Sequence, residues 1–246
     1  MFTGVSLPAG ATLSASATSP TGSWNNGVAI VTAKHQLSRP TALTGETNVV
    51  VQAEPRDIDG VTMTAANVAS APTPLRYGRL SLQNAYGSEL LDLPIPVTAQ
   101  YWNGSSFVTN DLDSCTKLAD SNIGYGNYQA PLTADNIGAL TFRTADSNGS
   151  CSASSVPSGV MISGKSCILL SQPAASSATG SVDLLINLGS LAGNCLSPAL
   201  SSGSSAGITY LSGNWCGTGY DRDPTARATF GIYKDRSRLI YFREVY

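Results

Sequence analysis

ARATFGIYKDRSRLIYFREVY, residues 226 to 246, reads as a β-hairpin: two runs rich in Phe, Ile, Tyr and Val flank the polar Lys234-Asp235-Arg236-Ser237. A run of aromatic and β-branched residues of this kind is expected to be tied into a sheet. Just before it, Tyr220-Asp221-Arg222-Asp223-Pro224 predicts a turn, because Asp-Pro favours turn initiation and proline keeps its predecessor out of the helical region. Turn, strand, turn, strand is the pattern of an all-β chain.

Composition agrees with that reading. The 246 residues include 24 Gly and 13 Pro, and only 12% are charged, about half the usual share. Exposed helix faces are built from Glu, Lys and Arg, so a chain this poor in them makes few surface helices. The formal net charge of −2 gives no field that attracts a polyanion, and nucleic acid is not expected as a partner. Six of the 14 basic residues lie within the last twenty-five positions (Arg222, Arg227, Lys234, Arg236, Arg238 and Arg243), where they read as guards of a strand edge. No apolar run approaches the roughly 20 residues of a membrane-spanning helix. The start, Met1-Phe2-Thr3-Gly4, lacks the regions of a signal peptide, so an exported chain is expected to be a piece of a longer precursor.

There are five cysteines, Cys115, Cys151, Cys167, Cys195 and Cys216, with no Cys-x-x-Cys among them and one histidine in the chain. Mixed Cys/His zinc patterns are therefore not indicated. Dispersed cysteines between Ser/Thr/Asn-rich stretches fit an oxidising compartment. Cys195 with Cys216 is the first choice of bridge, closing the Ser/Gly-rich loop between them, and Cys151 with Cys167 is the second; the odd count leaves one thiol over.

Working back along the chain, SVDLLINL (181 to 188) places Val182, Leu184, Ile186 and Leu188 on one face and Asp183 and Asn187 on the other, predicting a strand with one wet side. Residues 190 to 207 read as a loop. From Ser114 to about Pro157 the text is also loop-like, apart from GALTFRT (138 to 144). LPIPVTAQYW (93 to 102) predicts a strand whose prolines, Pro94 and Pro96, confine its early part to an edge, and Asn103-Gly104 is the strongest hairpin signal in the chain. LRYGRLSLQNAYG (75 to 87) alternates around a break at Gly78. Pro72-Thr73-Pro74 reads as an internal boundary, preceded by three or four short strands, of which TNVVVQA (47 to 53) is the clearest.

Several separated segments resemble one family. They are Leu75-Arg76-Tyr77-Gly78-Arg79-Leu80 with Leu82-Gln83-Asn84-Ala85-Tyr86-Gly87, then Ala99-Gln100-Tyr101-Trp102-Asn103-Gly104, then Asp113-Ser114-Cys115-Thr116, and the run from Tyr220 to Lys234 closing with Ile240 to Tyr246. Together with Asp57-Ile58-Asp59-Gly60-Val61-Thr62 they are similar to the C-terminal domain of the MshQ-type proteins, encoded with the mannose-sensitive haemagglutinin type IV pilus system of Gram-negative bacteria. The resemblance implies export, a place at or beyond the outer membrane, and a role in pilus assembly or in adhesion near the pilus tip. Members of that family are much longer and carry this domain at their end.

Candidate sites are few. His35 would have to serve any Ser-His-Asp triad, yet it follows Lys34 in a polar connection with no Gly-x-Ser-x-Gly elbow, so no catalytic residue is assigned. Asp57-x-Asp59-Gly60 has the opening spacing of a calcium loop without the glutamate that completes an EF-hand, which makes Asp57 and Asp59 the candidate calcium ligands beside the plainer reading of a tight turn. Asn110-Asp111-x-Asp113 and Asp221-x-Asp223 carry the same two readings. Aromatic platforms for sugars include Trp24, Tyr101, Trp102, Tyr125, Tyr128 and Trp215, with Trp102 and Trp215 also fitting core plugs at strand ends. Tyr125 and Tyr128, set in Gly124-Tyr125-Gly126-Asn127-Tyr128, are expected on an exposed, mobile loop.

The expectation is thus an all-β chain of two Ig-like or sandwich-like halves, residues 1 to 71 and 75 to 246, the terminal hairpin completing the second. The expected role is that of a non-enzymatic, surface-exposed domain of a pilus-associated protein, in adhesion or docking, with pilus components or a surface glycan or receptor as partner. A carbohydrate-binding module, a secreted hydrolase and a strand-adding assembly unit are the alternatives.

Overall fold

Leucine, valine and threonine are the commonest residues of the runs that become strands, and the described part of the computed structural model is built from strands, with short 3-10 turns at Asp120–Asn122 and Thr209–Leu211. It describes residues 2–15, 24–26, 28–29, 35–53, 69–146, 149, 151, 155–174 and 178–231. The chain divides into two compact units, residues 1–78 with 101–108, and residues 79–100 with 109–246.

In the first unit, β1 (Phe2–Ser6) and β7 (Thr73–Leu75) flank β6 (Thr47–Ala53), all antiparallel. The prolines read as a boundary sit in and beside β7, with Pro74 opposite Asn48. A residue without an N–H is tolerated there because β7 is an edge. Two small hairpins pair β2 (Leu13–Ala15) with β5 (His35–Leu37) and β3 (Trp24–Asn25) with β4 (Val28–Ala29). His35 thus opens a strand rather than lying in a connection. The guanidinium of Arg39 stacks 4.2 Å from the centre of the Tyr77 ring, and that of Arg76 lies 4.1 Å from the Tyr101 ring while pairing with Glu46.

The second unit is a sandwich of two sheets. One holds β8 (Gly78–Leu82), β10 (Leu93–Trp102), β11 (Phe107–Thr109), β13 (Leu140–Arg143) and β14 (Lys165–Leu170), of which Gly78, residues 101–102 and residues 107–108 are counted with the first unit. The other runs β12 (Ile123–Gln129), β15 (Gly180–Ile186), β16 (Thr225–Phe230) and β9 (Ala85–Gly87), antiparallel except for the β16–β9 pair. Leu80, Ile95, Val97, Phe142, Ile168 and Leu170 from the first sheet meet Ile123, Val182, Leu184, Ile186, Ala228 and Phe230 from the second in one buried core. The first run of the terminal hairpin is therefore β16; the second run lies outside the described residues.

Strand β10 shows how prolines fit inside a sheet. Trp102 donates its N–H to Tyr77 and Pro96 accepts from Gln83, so the even-numbered residues of β10 face β8. The odd-numbered ones face β14 along Leu93 to Val97. Pro94 and Pro96 therefore direct their missing donors toward the side on which β8 has ended, at Leu82.

Two expectations need correction. The Gly-Tyr-Gly-Asn-Tyr stretch is strand β12, not a mobile loop, and β15 has no wet side, for Asp183 and Leu185 are buried like Val182, Leu184 and Ile186. The reason is common to both. The loop of residues 190 to 207 lies over the outer face of this sheet, and a Cβ on Gly124 would stand 2.3 Å from the Ser202 carbonyl oxygen. Glycine is required at that point because the covering backbone leaves no room for a side chain. On the opposite sheet, Cys151 bridged to Cys167 packs with Ala145 and Leu169 in a second small apolar cluster.

Leu184→Ala should lower unfolding stability by about 3 kcal/mol, since Leu184 is fully buried between the sheets. Gly124→Ala should cost about 2 kcal/mol by forcing the covering loop outward. Urea unfolding followed by tryptophan fluorescence measures both, and a Gly124→Ala protein as stable as the parent would contradict the loop packing.

Candidate functional site

An aspartate between two core residues has to find a partner on its own side of the sheet. Asp183 does so on β16, where Arg227 stands directly opposite in the register. Arg227 donates from Nε to Oδ1 at 2.7 Å and from Nη2 to Oδ2 at 3.2 Å, the two-pronged geometry that suits a guanidinium and a carboxylate. Asn127 of β12 donates from Nδ2 to Oδ2 at 3.3 Å and to the carbonyl of Pro198 at 2.8 Å. Asn127 adopts φ of 51° where the β12 register slips, a left-handed conformation that asparagine accepts more readily than most residues.

Asp183 is 3% exposed whereas the Arg227 side chain is 46% exposed, so the acid is enclosed and the base reaches the surface. The hydrogen bond to Asp183 raises the Arg227 guanidinium above its ordinary pKa, more than partial burial lowers it, and the phenol of Tyr86 acts in the same direction as Asp183. The Arg227 amide donates to Asn84 Oδ1 at 2.8 Å, and Tyr86, on the neighbouring β9, is 68% exposed. Asn84, Tyr86 and Arg227 thus share one outer edge of the sheet.

The other edge is closed. Ser202 accepts from the Tyr125 amide at 3.1 Å and donates to the Tyr125 carbonyl at 3.4 Å, while Ser204 donates to Ser121 and Asn122 donates to Ser204. These bonds occupy backbone groups that an added strand would need. The same loop is held at its far side by the Cys195–Cys216 bridge. Asp223 accepts from the amides of Leu188 and Ser190, and Arg222 donates to the Ala192 carbonyl.

Of the aromatic residues singled out in the sequence, Tyr125 is exposed on β12 and Tyr128 is half-buried against the core. Burial raises the Tyr128 phenol above its ordinary pKa. Trp102, at the end of β10, is half-buried and edge-on to Phe107 with ring centres 5.3 Å apart. Trp215, beside Cys216, lies under the guanidinium of Arg79 at 4.7 Å and over Gly213. Asp57 and Asp59 lie outside the described residues. The Asp113 carboxylate accepts from the amides of Cys115 and Thr116 and from the Thr116 hydroxyl, as a plain turn requires. Cys115 is an exposed free thiol. Among the described residues no group of three His, Cys, Asp or Glu side chains converges as metal ligands would.

A family model described as DUF6701, fourth domain, matches residues 76–245. The chain belongs to the DUF6701 family. Neither a curated protein nor a solved structure matches it. The matched span of this DUF6701 chain includes Asn84, Tyr86, Asp183, Asp223 and Arg227, along with all five cysteines. The two bridges mark it as a chain that folds outside the reducing cytoplasm, and none of its described helices is long and apolar enough to cross a membrane. Sequence reading passed over the Asp183–Arg227 pair. Its one local signal was an acidic residue between Val182 and Leu184, which alternation assigned to solvent.

Arg227→Ala should destabilise the DUF6701 chain by about 3 kcal/mol, because it strands a buried carboxylate while solvent already reaches the arginine. Guanidinium chloride unfolding measures this, with Arg227→Lys expected to recover part of the loss. Tyr128 sets an alkaline limb. With its folded pKa raised, its contribution is complete below the ordinary phenol value and fades as pH rises through the folded one. Tyr128→Phe should flatten the stability profile above about pH 10, read by thermal melts with ultraviolet titration of the phenolates.

Proposed function

We propose that this DUF6701 chain is a non-enzymatic recognition domain of a surface-exposed, pilus-associated protein, acting in adhesion or in docking to the pilus machinery. The observation that carries the reading is the division of labour among polar side chains. Asp113, Asp183 and Asp223 are each enclosed and engaged by donors of the chain itself, whereas Tyr86, Tyr125 and Arg227 stand exposed on strands. Carboxylates committed to structural hydrogen bonds are poorly placed for acid–base turnover, and exposed aromatic and arginine side chains on a stiff sheet suit binding.

Further support comes from the two bridges, which fit an exported domain, and from the resemblance of several segments to the C-terminal domain of MshQ-type proteins. A glycan or a surface receptor is the partner that an adhesive role requires; a pilus component is the partner that docking requires.

The test replaces Tyr86 and Tyr125 together by alanine in the full-length protein in its own cells. Reduced attachment with normal pilus number supports adhesion, and reduced pilus number supports docking. Unchanged attachment and unchanged pilus number, with the protein still displayed at the surface, would refute the proposal.

A further inference from the structure

We propose that the outer edge formed by Asn84, Tyr86 and Arg227 is a binding site for the carboxylate of an acidic sugar. The inference rests on the recognition role proposed above and names the ligand class for one place on the sheet.

Arg227 supplies the charge. Its Nε and Nη2 are turned inward onto Asp183, and Nη1 takes no part in that pair. A guanidinium held on one side by a buried carboxylate is fixed in orientation, so little side-chain entropy remains to be lost when its outer N–H groups meet a second carboxylate. Asp183 acts here as a positioning residue, itself steadied by Asn127. The pair leaves the fork partly neutralised, which favours modest, exchangeable binding over tight capture.

Asn84 supplies a neutral donor. Its Oδ1 is taken by the Arg227 amide, which orients the side-chain amide, and its NH₂ group is the donor that this exposed residue has to offer. Tyr86 supplies a plane. It stands on β9 opposite Thr229, two residues beyond Asn84, which immediately precedes the strand, and is among the most exposed aromatic side chains described. A charged fork, an amide donor and an exposed ring within three positions of two adjacent strands match a sugar acid, which carries an anionic group, hydroxyls and an apolar ring face.

An extended acidic peptide fits less well. Peptides that bind sheets gain most from main-chain bonds along an edge, and β9 offers only three residues. The longer edge at β12 is already occupied by Ser202.

The experiment titrates the full chain with tri-galacturonate by calorimetry and by amide chemical shifts. The same trisaccharide as its methyl ester, sodium acetate and tri-glutamate form parallel arms. Tri-galacturonate should bind saturably and more weakly as salt rises, with the methyl ester at least about tenfold weaker. Tyr86→Ala should weaken binding about five- to tenfold at an unchanged unfolding midpoint. Absence of saturable binding, equal binding of the ester, of acetate or of tri-glutamate, or parental affinity in Tyr86→Ala would overturn the site. If this site fails while the Tyr86 and Tyr125 variant still impairs attachment, the recognition role stands without it. If tri-galacturonate binds as described while attachment and piliation are unaffected, the site stands and the cellular role falls.

Discussion

A carboxylate enclosed at the centre of a sheet is the constraint around which the second unit is arranged. Taking Asp183 out of water costs several kcal/mol, and the attraction of one partner offsets that only with good geometry and further donors. Arg227 and Asn127 provide both, from the strands on either side. A shift of β16 or β12 by one residue would put the wrong face against Asp183 and leave it unpaired, so the pair fixes register across three strands. An apolar residue at the same position would pack without distinguishing between registers.

The enclosure depends on a loop that composition alone would class as a flexible connection. Residues 190 to 207 are rich in serine and glycine, yet their backbone and hydroxyl groups bond to Ser121, Tyr125 and Asn187, and their far end is bridged to Cys216. Small side chains are what this requires, since Gly124 and Gly126 on the strand and serines on the loop let two backbones approach closely. The same contacts occupy the edge of β12, which gives this sheet a protected border. One segment thus buries a charge, completes a layer and blunts an edge.

Stiffness on one side of the sheet has consequences for the other. Because β15 is buried on both faces and β16 is locked to it, the side chains that β16 and β9 project outward are carried on a fixed frame. Exposed groups on such a frame meet a ligand with little reorganisation, which is the physical basis for reading this DUF6701 chain as a recognition domain. The bridges serve the same end in a compartment where they persist, Cys151–Cys167 by tying its segment to β14 and Cys195–Cys216 by tying the covering loop to a second loop.

Much of this was legible in the residues themselves. Low charge, frequent Gly and Pro and short β-branched runs determined an all-β chain, because such residues cannot build solvated helices; cysteine spacing pointed to the pairs Cys195–Cys216 and Cys151–Cys167; and the alternation in SVDLLINL located the core face of β15 correctly. The environment of Asp183 was not legible. Periodicity reports which residues share a face and is silent on what covers it, so Asp183 read as solvated and the tyrosines among glycines read as a loop. Only the tertiary structure brings Ser202 over Gly124 and Arg227 beside Asp183, from segments 78 and 44 residues away in sequence, because burial is settled by packing between distant segments and not by the pattern within one.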